Sequence, residues 1–298
     1  MGITTQFVSR LPVLILLLTV PLFLNASDGS KSRFISVDPS LALHLTFDGN
    51  LLDASNYGNN GSASNQSYTS DHLGNPNSAY LFNGSNNYVT VANRSTINPL
   101  SQVTLTLWLR VDEVQGNYMP IFVKGGPTYG YYNNREYGVW TKQNSALWYP
   151  QFKSAGDGSG MHECDSDHHS YNVGQWIFFA FVVDRVNHVM QIYADGALTE
   201  EVPDSYSTIS ANGYPLIIGW SDENLPEHMP LKGAIDDLRI YTYSVGATDI
   251  QTLYTGGEIQ PGTRIVPITS YTGLICLGIF FVALASWLVK RRQRIAVV

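Results

Sequence analysis

Residues 45–61, "LTFDGNLLDASNYGNNG", gather Asp48, Asn50 and Asp53 among glycines and asparagines. Calcium takes roughly six to eight oxygen ligands from carboxylates, amides and backbone carbonyls, so this composition could hold the ion. An EF-hand loop starting at Asp48 would need an oxygen ligand where Leu52 stands and glycine where Asp53 stands. That pattern fails. The other reading is a turn whose Asx side chains bond their own backbone, with no metal.

A second group lies in "GMHECDSDHHSYN", where His162, Cys164, His168 and His169 offer imidazole and thiol ligands for a zinc ion. Their spacing matches no structural zinc pattern, and no orienting partner marks a catalytic Cys/His pair. The alternative is a polar surface loop ahead of a strand at Trp176. A third group is the tract "TYGYYNNREYGVWTKQNSALWYPQF", which carries Tyr131, Tyr132, Tyr137, Trp140, Trp148 and Tyr149. Aromatic faces stack on the C–H faces of sugars, although aromatics are also common in buried strands. Trp108 is a further stacking candidate. A retaining glycosidase needs two carboxyls about 5–5.5 Å apart, which on a strand means acids at alternate positions. The nearest such pair, Asp165 and Asp167, sits in the His/Ser stretch, and neither a nucleophile elbow nor HExxH occurs. The expectation is a protein that is not an enzyme.

The elements that must position these groups are strands. In "QVTLTLWLRVD", Val103, Leu105, Leu107, Leu109 and Val111 alternate with Thr104, Thr106, Trp108 and Arg110, a period of two with one core face. Leu41, Leu43, Leu45 and Phe47 make a similar inward row. "QWIFFAFVVD" is apolar on both faces and predicts a central strand covered on each side, paired as a hairpin with "HVMQIYADG". A second hairpin should turn at "KQNS", and the body has one brief helix at "GATDIQTLY". Many short antiparallel strands predict an all-β sandwich or jelly roll of two sheets. In "GAIDDLRIY" the same period puts Asp236 on the side of Leu238 and Ile240, where a carboxylate must be paired, hydrogen-bonded or bound to a cation.

The blocks "ALHLTFDGNLLDASNYGNNG", "AYLFNGSNNYVTV", "TLTLWLRVD", "GQWIFFAFVVD", "MQIYADG" and "LKGAIDDLRIYTYSVGATDIQTLY" stand in an order that resembles laminin G-like, concanavalin A-like domains, from about Leu41 to Tyr254. The resemblance implies an antiparallel jelly-roll sandwich with its first and last strands adjacent. That would bring Asp236 near the turn at Asp48. It also implies a calcium ion there, held by Asp48 and Asp236 with Asn50, Asp53 and Asp237 as further ligands. Loop amides or Arg239 are the alternative partners of Asp236. Members of this superfold bind sugars, bind proteins or hydrolyse polysaccharides. The resemblance therefore implies a glycan or an extracellular protein as ligand.

The ends predict where the body resides. Residues 1–26 carry Arg10, an apolar run and a small-residue close, the pattern of a secretory signal peptide. The domain spans 38–257 and a Gly/Pro linker 258–266. An uncharged segment at 267–289 is long enough to cross a bilayer, and 290–298 form a basic tail that should stay cytoplasmic. The expected localisation is export, with the body outside the cytoplasm at the cell surface. The tail also resembles bacterial sorting signals of the "IPTLSEWG" type, which implies processing by an exosortase-type enzyme. All 24 acidic residues lie between the ends, whereas five of the 17 basic ones lie in them, so the body carries a formal charge of −12. That charge repels nucleic acid. Of the two cysteines, Cys276 lies in the membrane segment, so Cys164 has no disulfide partner in the body.

Overall fold

The computed structural model describes residues 38, 40–126, 135–156, 160–221 and 228–259. The signal peptide, the linker beyond Ile259, the membrane segment and the tail, together with Tyr131 and Tyr132, lie outside the described residues. Among those described, no helix is long and apolar enough to cross a membrane.

The strands in order are β1 (Leu41–Leu45), β2 (Gly61–Ser62), β3 (Tyr68–Thr69), β4 (Ala79–Asn83) and β5 (Val89–Val91). Then come β6 (Gln102–Val111), β7 (Tyr118–Gly125), β8 (Arg135–Asn144), β9 (Leu147–Ala155) and β10 (Met161–Asp165). The last five are β11 (Trp176–Asp184), β12 (Val189–Ala194), β13 (Ala197–Pro203), β14 (Leu216–Ile218) and β15 (Lys232–Tyr241), followed by helix α1 (Ala247–Tyr254). They form two antiparallel sheets, the sandwich expected from the alternation. One sheet runs β13-β12-β11-β6-β15-β4-β3, with β1 also paired to β15, and the other runs β10-β9-β8-β7-β14-β5-β2. First and last strands are adjacent, with Leu45 opposite Leu238.

Val103, Leu105, Leu107, Leu109 and Val111 of β6 all enter the core between the sheets, and so do Ile177, Phe179, Phe181 and Val183 of β11. The other face of β11, with Phe178, Ala180 and Val182, packs under α1 through Ile250 and Leu253. Those helical residues stand three apart, on one stripe of the helix. Thr104 fastens the cover. Its hydroxyl donates to the Tyr243 carbonyl at 2.8 Å and accepts from Val245 N–H at 2.9 Å.

Three expectations from the sequence are corrected. Leu41 packs in the outer cluster rather than the core, because the β1 register shifts between Leu41 and Leu43. The His/Cys stretch opens with a strand, β10, rather than a loop, and pairs with β9 from Met161↔Ala155 to Asp165↔Gln151. On β15, Asp236 pairs with Trp108 and Arg239 with Thr106, so one extra residue is inserted between them. Asp237 takes up that residue at φ 51. A bulge reverses the parity of every side chain on one side of it. Ile235, Leu238 and Ile240 therefore all reach the core, and Asp236 stands on the outer row beside Trp108.

Candidate functional site

The acidic loop after β1 is organised by Asp53. Its Oδ1 accepts from the backbone N–H groups of His44 and Ser55, each at 2.9 Å. Its Oδ2 accepts from the Ser55 hydroxyl and the Asn59 N–H, each at 2.7 Å. A carboxylate has about four lone-pair positions, and here all are filled by the protein. Buried Asn59 continues the scaffold, donating from Nδ2 to the Ala42 carbonyl at 2.7 Å and to the Thr96 hydroxyl at 2.9 Å. Asn50 closes a local Asx turn on the Leu52 N–H at 2.8 Å, and Asp48 is exposed. The metal-free Asx loop describes Asn50 and Asp53.

The bulge on β15 answers a different demand. Asp236 Oδ2 lies 2.6 Å from His72 Nδ1, and the His72 ring stacks on Trp108 with centroids 4.0 Å apart. Asp71 presents that imidazole by accepting from the N–H groups of Leu73 and Asn75 at 2.9 and 2.7 Å. Burial pushes the Asp236 carboxyl up to about 6, against the His72 hydrogen bond, and the charges of Asp237 and Asp71 add to the rise. Burial acts the same way on Asp237, but His44 Nε2 at 2.6 Å and Arg239 Nε at 3.1 Å outweigh it and hold that carboxyl below its usual range. Arg239 also forks onto Glu258 at 2.9 and 3.2 Å.

Asp53 and Asp237 as arranged do not suit a calcium ion. Asp53 has no acceptor position to give, and a cation at Asp237 would face the Arg239 guanidinium. Among the described residues, no three His, Cys, Asp or Glu side chains are gathered to hold a metal.

The transition-metal candidates are dispersed. Cys164 is wholly buried in the core, where desolvation pushes its thiol far up and the charges of Glu200, Asp165 and Glu201 add to it. His168 is 81% exposed beside Asp167, and His169 is exposed. His162 stands 3.0 Å from Asp204 and 3.5 Å from the Ser205 hydroxyl, an order that superficially suits acyl transfer. Two features oppose that chemistry. His162 Nδ1 makes no aligned hydrogen bond, and buried Asp204 is already neutralised by Arg185 Nε at 3.0 Å. The cluster is a strap, because Arg185 also reaches the carbonyls of Ala155, Ser154 and Thr208.

Burial removes most of the aromatic tract from ligand reach. Trp148 is 0% exposed in the core, where Phe179 is one of its neighbours, and Tyr137 is fully buried with its hydroxyl on the Ile97 carbonyl. Trp140 does stand on the outward row of β8, but it is 1% exposed, with the Arg135 guanidinium 4.8 Å from its ring centre. Tyr149 is buried beside Lys142. Trp108 is half-buried under His72 and Tyr254.

An open cleft of about 370 Å³ lies elsewhere, where the loop after β1 meets the segment leading into β6. Tyr57 (39% exposed) and Leu100 (77% exposed) supply its apolar surface. Asn98, Ser101, Gln102 and Thr242 supply hydroxyl and amide groups, and no residue lining the cleft is charged. The volume is near the lower end of the range for small-ligand sites. Asp53 and Asn59 fix the loop that carries Tyr57. Sequence reasoning passed over Tyr57, Asn98 and Leu100, since two segments far apart in the chain supply them. The signal within reach was the Asp53-x-Ser55 spacing, which marks a self-bonded loop able to present Tyr57.

Residues 83–251 match the concanavalin A-like lectin/glucanases superfamily. No curated protein sequence matches the chain. Among solved structures, the chain is similar to the binding domain of botulinum neurotoxin DC in complex with SialylT, at 15% identity and TM-score 0.56 over 73% of this chain and 52% of that one. It is also similar to domain 4 of AbnA, a GH43 extracellular arabinanase from Geobacillus stearothermophilus, in complex with arabinotriose, at 18% identity and TM-score 0.52 over 72% and 98%. A third is the botulinum neurotoxin DC binding domain in complex with rat synaptotagmin II, at 15% identity and TM-score 0.55 over 74% and 52%. The chain spans about half the length of the botulinum domains, and likeness at these identities concerns the fold.

Proposed function

The chain belongs to the concanavalin A-like lectin/glucanases superfamily, and from that premise we propose that it is a surface-displayed module that binds a carbohydrate in the cleft beside Tyr57. One observation carries the reading. Exposed Tyr57 and Leu100 stand against a lining of hydroxyls and amides, and the loop that carries Tyr57 is fastened by Asp53 and Asn59. Sugars bind through C–H faces on apolar surface and through hydroxyls on polar groups, so the lining meets both needs. Rigidity before binding lowers the ordering cost of the complex. The sandwich neighbours in complex with SialylT and arabinotriose support a sugar ligand, and the one in complex with synaptotagmin supports a protein ligand as the second reading. The cleft lining contains no acid, so paired-carboxylate hydrolysis has no support there.

We place the body outside the cytoplasm, exported by residues 1–26 and held by 267–289, with exosortase-type processing as the alternative to a lasting anchor. The mass of the exported protein separates those two fates. A glycan array probed with the full chain in detergent tests the binding. The expected result is glycan retention that Tyr57→Ala weakens. Silence on every glycan, with capture of a protein partner at the same surface, overturns it.

A further inference from the structure

The chemistry of the cleft also selects among sugars, and this inference rests on the carbohydrate reading above. We propose that the cleft takes neutral sugars and rejects sialylated or sulfated ones, with Asn98 as a residue that reads a ligand hydroxyl.

The lining offers no cation to an anionic substituent. A carboxylate or sulfate moved from water into such a site loses hydration without gaining the charge-assisted bonds that normally replace it. The surroundings add repulsion. Gln102 donates from Nε2 to Asp184 Oδ1 at 2.8 Å, so a carboxylate stands directly behind one wall. Burial raises that carboxyl, but hydrogen bonds from Asn187, Gln102 and Ser244 outweigh it and keep Asp184 ionised. The formal charge of −12 on the body has the same sign.

A neutral hydroxyl meets the opposite reception. Asn98 Oδ1 is sealed from solvent and accepts no hydrogen bond, a state that costs free energy until a donor arrives. Its amide turns about a soft terminal torsion, which can bring the oxygen toward the cleft. A sugar hydroxyl is a donor of the right kind. Thr96 cannot supply one, because its hydroxyl is engaged with Asn59.

The test is titration calorimetry of the full chain in detergent against neutral oligosaccharides and against sialylated and sulfated counterparts, at two salt concentrations. Neutral ligands should bind, and raising salt from 50 to 500 mM should change affinity less than about twofold, since no ion pair forms. Tyr57→Ala and Asn98→Ala should each weaken binding by about tenfold while melting curves stay in place. Tighter binding of the sialylated or sulfated ligand, or a steep loss of affinity in salt, overturns neutral selection and leaves carbohydrate binding standing. Full affinity in both variants overturns the placement in this cleft. Failure of every sugar to bind overturns the carbohydrate reading itself.

Discussion

The loop around Asp53 and the bulge at Asp236–Asp237 are both acidic, and both were candidates for one cation, yet the fold satisfies them in opposite ways. Asp53 is neutralised locally, by donors from within its own loop and from β1. The bulge aspartates are neutralised by groups distant in sequence: His72, His44 and Arg239. A local solution shapes one loop. A distant solution ties β1, β15 and the segment after α1 together, and it includes Asp236, whose carboxyl burial raises. Acidic residues alone do not reveal which demand they answer.

The largest expected effect breaks the local half. Asp53→Ala removes four acceptor bonds and leaves their donors to find new partners, so it should cost about 3 kcal/mol of stability in urea denaturation. It should also weaken ligand binding through the Tyr57 loop. A cost below about 1 kcal/mol would mean that the loop is held by something other than this carboxylate.

The next effect separates the two bulge neighbours by pH. Asp236 has its folded pKa raised to about 6 from an ordinary value near 3.8, so its contribution is fully present at low pH and is lost as pH rises through 6. That loss amounts to roughly 2 kcal/mol between pH 4 and pH 7. Asp237 has its pKa lowered, so its contribution is present above its ordinary pKa and is lost as pH falls through the lowered value. Asp236→Asn should flatten the slope between pH 4 and pH 7, and Asp237→Asn, which removes one lesser contribution to the rise of Asp236 and leaves its burial, should reduce that slope without abolishing it. Equal pH profiles for both variants would contradict the assignment of partners.

A smaller effect tests how far the distant solution reaches. Glu258 receives the Arg239 fork but is largely exposed, so Glu258→Gln should cost only about 0.5 kcal/mol and less at high salt. Arg239→Met, which also strips Asp237 of its guanidinium, should cost several times more.

These two regions also mark where sequence stops being legible. The β6 row and the two-faced β11 were readable because unbroken alternation carries its own phase. The adjacency of β1 and β15 came with the family resemblance and is present. The parity of Asp236 was not readable, since Asp237 adopts φ 51 without a glycine to announce it. The same holds for Leu41, displaced by a register shift that its neighbours do not advertise. Trp148 and Tyr137 looked like binding aromatics because burial is set by the facing sheet, which one strand's sequence does not contain. The cleft was hidden for a related reason: Tyr57, Asn98 and Thr242 meet only when three loops converge.

The smallest expected effect is the most discriminating for the comparison. If protein donors neutralise both regions, excess chelator should leave the melting curve of the full chain unchanged, and added calcium should not raise it. A bound ion stabilises by an amount that grows with its concentration over Kd, about 2.7 kcal/mol at a hundredfold excess, which is large enough to see as a shift in Tm. To bind at Asp53, calcium would have to displace N–H donors from a carboxylate that they already saturate. To bind at Asp237, it would have to settle beside a fixed guanidinium. A rise in Tm that Asp48→Ala abolishes would return the cation to the turn after β1. A flat titration leaves Asp53 to its loop and the bulge to its imidazoles.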